Sequence, residues 1–114
     1  MIIVAGWVDV DPEKRDATLA AAAKPMQSTR AQQGCLDYVW SADPVEPSRI
    51  YVYERWESRE ALTAHFEGPY YLEMRDTIAQ GKISGVDVSK YRTDLSEGVY
   101  RSDGKPHADF EGEA

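Results

Sequence analysis

The sequence predicts an α+β fold of four strands and two helical regions in the order β-α-β-β-α-β, with the strands in an antiparallel sheet. Three observations lead to this order. Period-two alternation appears in four blocks, at residues 2–10, 35–42, 48–57 and 84–92. Apolar stripes with three- and four-residue spacing fill the intervals after the first and third blocks. Asp11 and Ser58 stand where helix caps are needed.

In the first block, IIVAGWVDV, Ile2, Val4, Gly6, Val8 and Val10 share one face, and Ile3, Ala5, Trp7 and Asp9 share the other. Asp11 as N-cap, Pro12 at the first helical position and Glu13 in the first turn then predict a helix over 12–33. Its apolar stripe is Leu19, Ala22, Ala23 and Met26. Pro25 lies inside it, and an interior proline costs about 3 kcal/mol, so a kink or break is expected at 22–25. Gly34 closes the helix and CLDYVWSA follows as the second strand. Pro44 and Pro47 make the next segment a loop.

SRIYVYERWE is the third strand, with Ile50, Val52, Glu54 and Trp56 on one face and Tyr51, Tyr53 and Arg55 on the other; with strand two it forms a hairpin. Ser58 caps a helix whose stripe runs through Leu62, His65 and Phe66 until Gly68-Pro69 interrupts it. A second helical segment from Pro69 to Ala79 carries Tyr70, Met74 and Ile78, and SGVDVSKYR supplies the last strand. This arrangement is ferredoxin-like, and it occupies residues 1–93. The remainder, 94–114, holds six acids, two bases and three glycines, and is expected to be an acidic tail, either disordered or an arm lying on a partner chain.

With 114 residues, the chain has the size of one domain. Thirteen basic against 20 acidic residues leave a net charge of −7, so a nucleic-acid backbone meets net repulsion. Cys35 stands alone, which excludes an intrachain disulfide and a cysteine-rich metal site and fits a reducing cytoplasm. No stretch reaches membrane-span length, and the first five residues lack a basic segment of a secretory leader. Dinucleotide, Walker, nucleophile-elbow and zinc-protease motifs are missing from the sequence. Two helices can cover only one face of the sheet. The other would leave large apolar side chains wet, so a homodimer with paired sheet faces is expected.

His65 is the only histidine expected in the folded core, since His107 lies in the tail. It can accept a phenolic proton, orient a hydroxyl, or serve as a structural hydrogen-bonding residue. Trp56 is either core or a stacking wall for an aromatic ligand. Glu54 is a carboxylate on an apolar face and needs a partner, an arginine or His65, or a raised pKa; Arg55, Arg75 and Arg92 are equivalent candidates. One of Tyr70 and Tyr71 is expected at the pocket mouth, and both with Phe66 are candidate substrate-binding residues. A cavity is expected between the second helical region and the sheet, lined by Trp56 and His65.

Gly34-Cys35-Leu36-Asp37-Tyr38, the run from Tyr53 to Leu62, and Ala64-His65 together resemble the antibiotic biosynthesis monooxygenase family, which includes quinol monooxygenases. The resemblance spans residues 1–92. It implies a dimeric α+β barrel with a pocket in each subunit, and oxidation of a phenolic, quinol or polyketide-like aromatic by dioxygen with no flavin, metal or haem. By position, Glu54, Trp56 and His65 match the family's motifs and are the implied catalytic residues. Where that family often has a second histidine, this chain has Glu67-Gly68-Pro69-Tyr70-Tyr71, which makes the pocket more aromatic. Three other functions fit the same residues: a small-molecule-binding dimer without turnover, a haem-binding or haem-degrading protein, and a polyketide cyclase or isomerase.

Overall fold

Ile50, Val52, Glu54 and Trp56 are all buried, while their neighbours Tyr51 and Tyr53 are exposed, so the period-two pattern of this segment becomes a strand with one inward face. The computed structural model describes residues 1–112. Its elements are β1 (Ile2–Asp9), α1 (Arg15–Arg30), β2 (Cys35–Ala42), β3 (Arg49–Trp56), α2 (Arg59–Glu67), α3 (Pro69–Ala79) and β4 (Gly85–Arg92). The four strands form one sheet in the order β2-β3-β1-β4 with every neighbouring pair antiparallel, which is the ferredoxin-like arrangement. All three helices lie on one side, where Leu62, Met74 and Ile78 close over Val4, Val8, Ile50 and Trp56.

The first helix differs from the expected 12–33. Asp11 does accept a hydrogen bond, from the Glu13 N–H at 2.9 Å, and its carbonyl accepts from Lys14, so residues 11–14 form a turn and the helix starts only at Arg15. It ends at Arg30, with Gln32 and Gln33 in the turn before Gly34. It also runs unbroken through Pro25, which is among the most completely buried side chains. Burial of the ring against the core offsets the lost hydrogen bond. Arg15 reaches across to the carbonyls of Asp43 and Glu46 at 3.0 and 2.8 Å and pins the proline-containing loop between β2 and β3.

Strict alternation fails at one place in β2. Cys35 lies opposite Trp56 and Asp37 opposite Arg55, so Leu36 is an extra, bulged residue and is exposed. The bulge places Cys35 on the inward side and brings Tyr38 opposite Glu54. The expected helix break occurs at Gly68, whose extended backbone separates α2 from α3 and places Pro69 at a first helical position that needs no N–H. Ser58 caps α2 as expected, accepting from the Ala61 N–H at 3.1 Å.

Gly6 allows β4 to pair with β1. Its φ is +156°, and a Cβ there would lie 1.9 Å from the Asp87 carbonyl oxygen. The inward row through Gly6 is Trp40, Val52, Gly6 and Val88. Val86 and Val88 on β4 remain exposed, so the helices leave the edge of this face open. The opposite face carries Ile3, Trp7, Val39, Tyr51, Tyr53 and Tyr91 and no helix. There Arg49 lies 3.8 Å over the Trp7 ring and pairs with Asp9 at 2.9 Å, and Arg55 pairs with Asp37.

Thr93 exchanges backbone hydrogen bonds with Met1. Beyond it, the described part of the acidic tail bonds to itself: Tyr100 bridges Pro106, Arg101 pairs with Glu111 at 3.2 Å, and His107 pairs with Asp103 at 2.9 Å. Residues 113 and 114 of the expected 94–114 segment lie outside the described residues. Among the described residues no helix is long and apolar enough to cross a membrane.

Candidate active site

The open edge of the inward face leads into a cavity of about 350 Å³ between the sheet and the helices α2 and α3. Its walls are mainly apolar and aromatic: Val8, Trp40, Val86 and Val88 come from the sheet, and Phe66, Tyr71, Met74 and Ile78 from the helices. Glu54 from β3, His65 from α2, Tyr38 from β2 and Arg75 from α3 bring ionisable groups to the same space. Arg75 pairs with its neighbour Asp76, and both side chains are well exposed. A cavity of this size suits a small aromatic molecule.

His65 sits inside a ring of aromatic groups. Its centroid is 4.7 Å from that of Trp56, 5.5 Å from Tyr38, and 5.9 Å from both Phe66 and Tyr71. Helical spacing turns the imidazole inward, and Gln32 fixes it: Nδ1 lies 2.7 Å from Gln32 Oε1. Burial pushes the His65 pKa down to about 4, so the ring is neutral at pH 7. A neutral ring with Nδ1–H donating to Gln32 keeps its lone pair on Nε2. That nitrogen has no hydrogen-bond partner among the described residues, and it is not among the sealed, unpartnered polar atoms. His65 borders the cavity although it is only 1% exposed, so Nε2 is an acceptor at the buried end of that space.

Glu54 finds neither of the partners expected from the sequence. Its Oε1 accepts from the Trp56 indole N–H at 2.9 Å, while the histidine is engaged by Gln32 and Arg55 by Asp37 on the other face. Strand alternation explains the first pairing, since residues two apart point the same way. One hydrogen bond does not compensate burial, and the carboxyl is pushed up to about 7. At neutral pH it is close to half protonated and can either give or take a proton.

Trp56 corrects another expectation. Its side chain is fully buried and does not line the cavity; it supports His65 and Glu54 from behind. The tryptophan that faces the cavity is Trp40, whose indole N–H is sealed from solvent beside the Tyr38 hydroxyl. Thr29 Oγ1 is likewise sealed from solvent, beside the Tyr38 hydroxyl. Of Tyr70 and Tyr71, one of which is expected at the mouth, Tyr71 lines the cavity and Tyr70 does not; Phe66 lines it as well. Burial raises the Tyr38 phenol above its ordinary pKa, with a further push from Glu54, so it stays protonated.

Gln32, Tyr38 and Trp40 are residues that reasoning from sequence missed as parts of the site. Gln32 lies 33 positions from His65, and no local pattern marks it. Trp40 and Tyr38 belong to the inward row of β2, opposite Val52 and Glu54, and not to the face that carries Tyr51 and Tyr53, where the sequence predicts one of them. Among the described residues, no group of three or more His, Cys, Asp or Glu side chains is placed to hold a metal ion.

A family model described as antibiotic biosynthesis monooxygenase matches residues 1–77. YcnE of Bacillus subtilis, provisionally named a monooxygenase, is 30% identical over 103 residues, covering 85% of this chain and all of that protein. Protein sll1783 of Synechocystis is 33% identical over 72 residues, which are 63% of this chain; the chain spans about half (49%) of that relative's length. Rv0793 of Mycobacterium tuberculosis superposes with a TM-score of 0.71 at 27% identity over 84% of this chain and 96% of that one. A Deinococcus radiodurans structure assigned to the same family gives 0.78 at 21% identity over 89% of this chain and 100% of that one, a likeness of fold.

Proposed function

The chain belongs to the antibiotic biosynthesis monooxygenase family, and from that premise we propose that it oxidises a phenolic or quinol-type aromatic with dioxygen, without a tightly held cofactor. The observation that carries the reading is a carboxyl with a pKa near 7 and a neutral imidazole bordering one aromatic-walled cavity. The substrate hydroxyl donates to Glu54, which takes its proton, while His65 Nε2 accepts a hydrogen bond from a second hydroxyl of the substrate. A general base is most effective when its pKa lies near the working pH, and Glu54 meets this better than His65. His65 orients the substrate through that second hydroxyl, and Gln32 holds its tautomer.

The resulting phenolate is electron-rich and passes one electron to dioxygen. The two radicals join by forming a bond between a ring carbon and oxygen. The peroxide takes the proton back from Glu54, the ring C–H proton leaves as the O–O bond breaks, and hydroxide departs with that proton as water. One oxygen atom stays as a new carbonyl, the other ends in water, and the substrate has supplied four electrons. The protein contributes positioning, proton transfer and exclusion of bulk water.

Two copies pairing their uncovered sheet faces would bury Trp7, Tyr51 and Tyr53 and leave each cavity on the outside of the assembly, which supports a homodimer with one site per subunit.

Oxygen uptake with a panel of naphthols and hydroquinones tests the proposal. His65→Ala and Glu54→Gln should each lower turnover by about 10²- to 10⁴-fold. The wild-type rate should rise with pH through about 7 as Glu54 ionises, and this limb should vanish in Glu54→Gln. Tight binding of these aromatics without oxygen uptake would replace oxidation with a binding role, and product rearranged without oxygen consumption would favour isomerase chemistry.

A further inference from the structure

A second concavity, of about 520 Å³, lies between the first turns of α2 and the strand ends of β1 and β4. Arg59, Leu62 and Phe66 face it from the helix, where their spacing of three and four places them on one stripe. Ile2, Lys90 and Arg92 face it from the sheet, with Arg92 directly opposite Ile2 in the register and Lys90 two residues before it on the same face. Thus three cations converge on an apolar floor in a chain whose net charge is −7. Among the described residues none of the three forms an ion pair or a side-chain hydrogen bond; the arginines that do form ion pairs are Arg49, Arg55, Arg75 and Arg101.

We propose that this groove binds an anionic aromatic molecule of the aryl carboxylate class, at a place distinct from the cavity around Glu54 and His65. Convergent like charges repel one another, and a bound anion relieves that repulsion. The guanidinium groups of Arg59 and Arg92 match a carboxylate's two oxygens, and Lys90 adds a point charge. Ile2, Leu62 and Phe66 give the ring an apolar surface that a bare inorganic anion would leave unused. Phe66 borders both spaces, so the test must separate them.

The test titrates the full chain with naphthalene-2-carboxylate and with its neutral counterpart, naphthalene-2-methanol, using calorimetry and amide chemical shifts. The carboxylate should bind at least about tenfold more tightly than the alcohol, shift the amides of Thr63, Lys90 and Arg92, and weaken as salt rises. Combining Arg59→Gln, Lys90→Gln and Arg92→Gln, all at exposed positions, should remove that advantage, and Lys90→Gln alone should lower it severalfold. His65→Ala should leave the carboxylate affinity unchanged. Equal affinity for the two probes, full affinity in the triple variant, or loss of binding in His65→Ala would overturn the proposal. So would concentration-dependent shifts of the groove amides without ligand, which would assign the groove to a second copy of the chain.

Discussion

Replacing Glu54 by glutamine should make the protein gain stability relative to the wild type as pH rises from 4.5 to 8, and leave it losing stability in acid where the wild type is nearly flat. Glu54 is only 6% exposed, and its folded pKa of about 7 lies above the ordinary value of 4.5 because burial penalises the charge. A raised carboxyl binds its proton more tightly in the folded state, so folding stability falls as pH rises from 4.5 to about 7. At 1.36 kcal/mol per pKa unit the total is about 3 kcal/mol. His65 works in the opposite sense. Its folded pKa of about 4 lies below 6.5, so stability falls as pH drops through that interval. Between pH 4.5 and 6.5 the two slopes oppose each other, and these two groups together leave the wild type nearly flat there. Glutamine keeps an oxygen for the Trp56 N–H and removes one slope. Urea unfolding of wild type and Glu54→Gln at matched protein concentration, from pH 4.5 to 8, should show the difference in stability growing towards about 3 kcal/mol in favour of the variant. Any constant cost of the buried amide appears at both ends and cancels. A difference independent of pH would refute the placement of Glu54 as a desolvated carboxyl with a single hydrogen-bond donor.

Gly6→Ala should destabilise the chain by at least about 1–3 kcal/mol in chemical denaturation, with faster amide exchange along β4, because the added carbon meets the Asp87 carbonyl; a change within about 0.5 kcal/mol would contradict the close approach. Tyr53→Glu on the uncovered sheet face should shift a dimer to monomer in sedimentation experiments with little loss of helix signal, and an unchanged mass would move the interface elsewhere. Truncation after Asp94 retains the Thr93–Met1 hydrogen bonds and should leave the melting temperature within a few degrees, since the described tail bonds to itself; a large fall in melting temperature would show that the tail braces the core.

The sequence by itself determined the succession of elements and the inward face of each. Alternation through Ile50, Val52, Glu54 and Trp56, the cap at Ser58 and the break at Gly68-Pro69 are local signals, readable because strand and helix periods act over a few residues. It also placed an unusual carboxylate and an inward histidine near one another in the fold. Tertiary structure decided which groups they meet. Pro25 remains helical because the core receives its ring, an outcome no local propensity contains. The bulge at Leu36 resets β2 so that Tyr38 falls opposite Glu54. Gln32 reaches His65 because the turn after α1 passes beside α2, and Trp40 rather than Trp56 faces the cavity because Trp56 is sealed beneath His65 and Glu54. Periodicity specifies a direction from each backbone position. Hydrogen-bond partners, pKa values and the opening of a cavity depend on distances between segments far apart in the chain, and only their packing sets those.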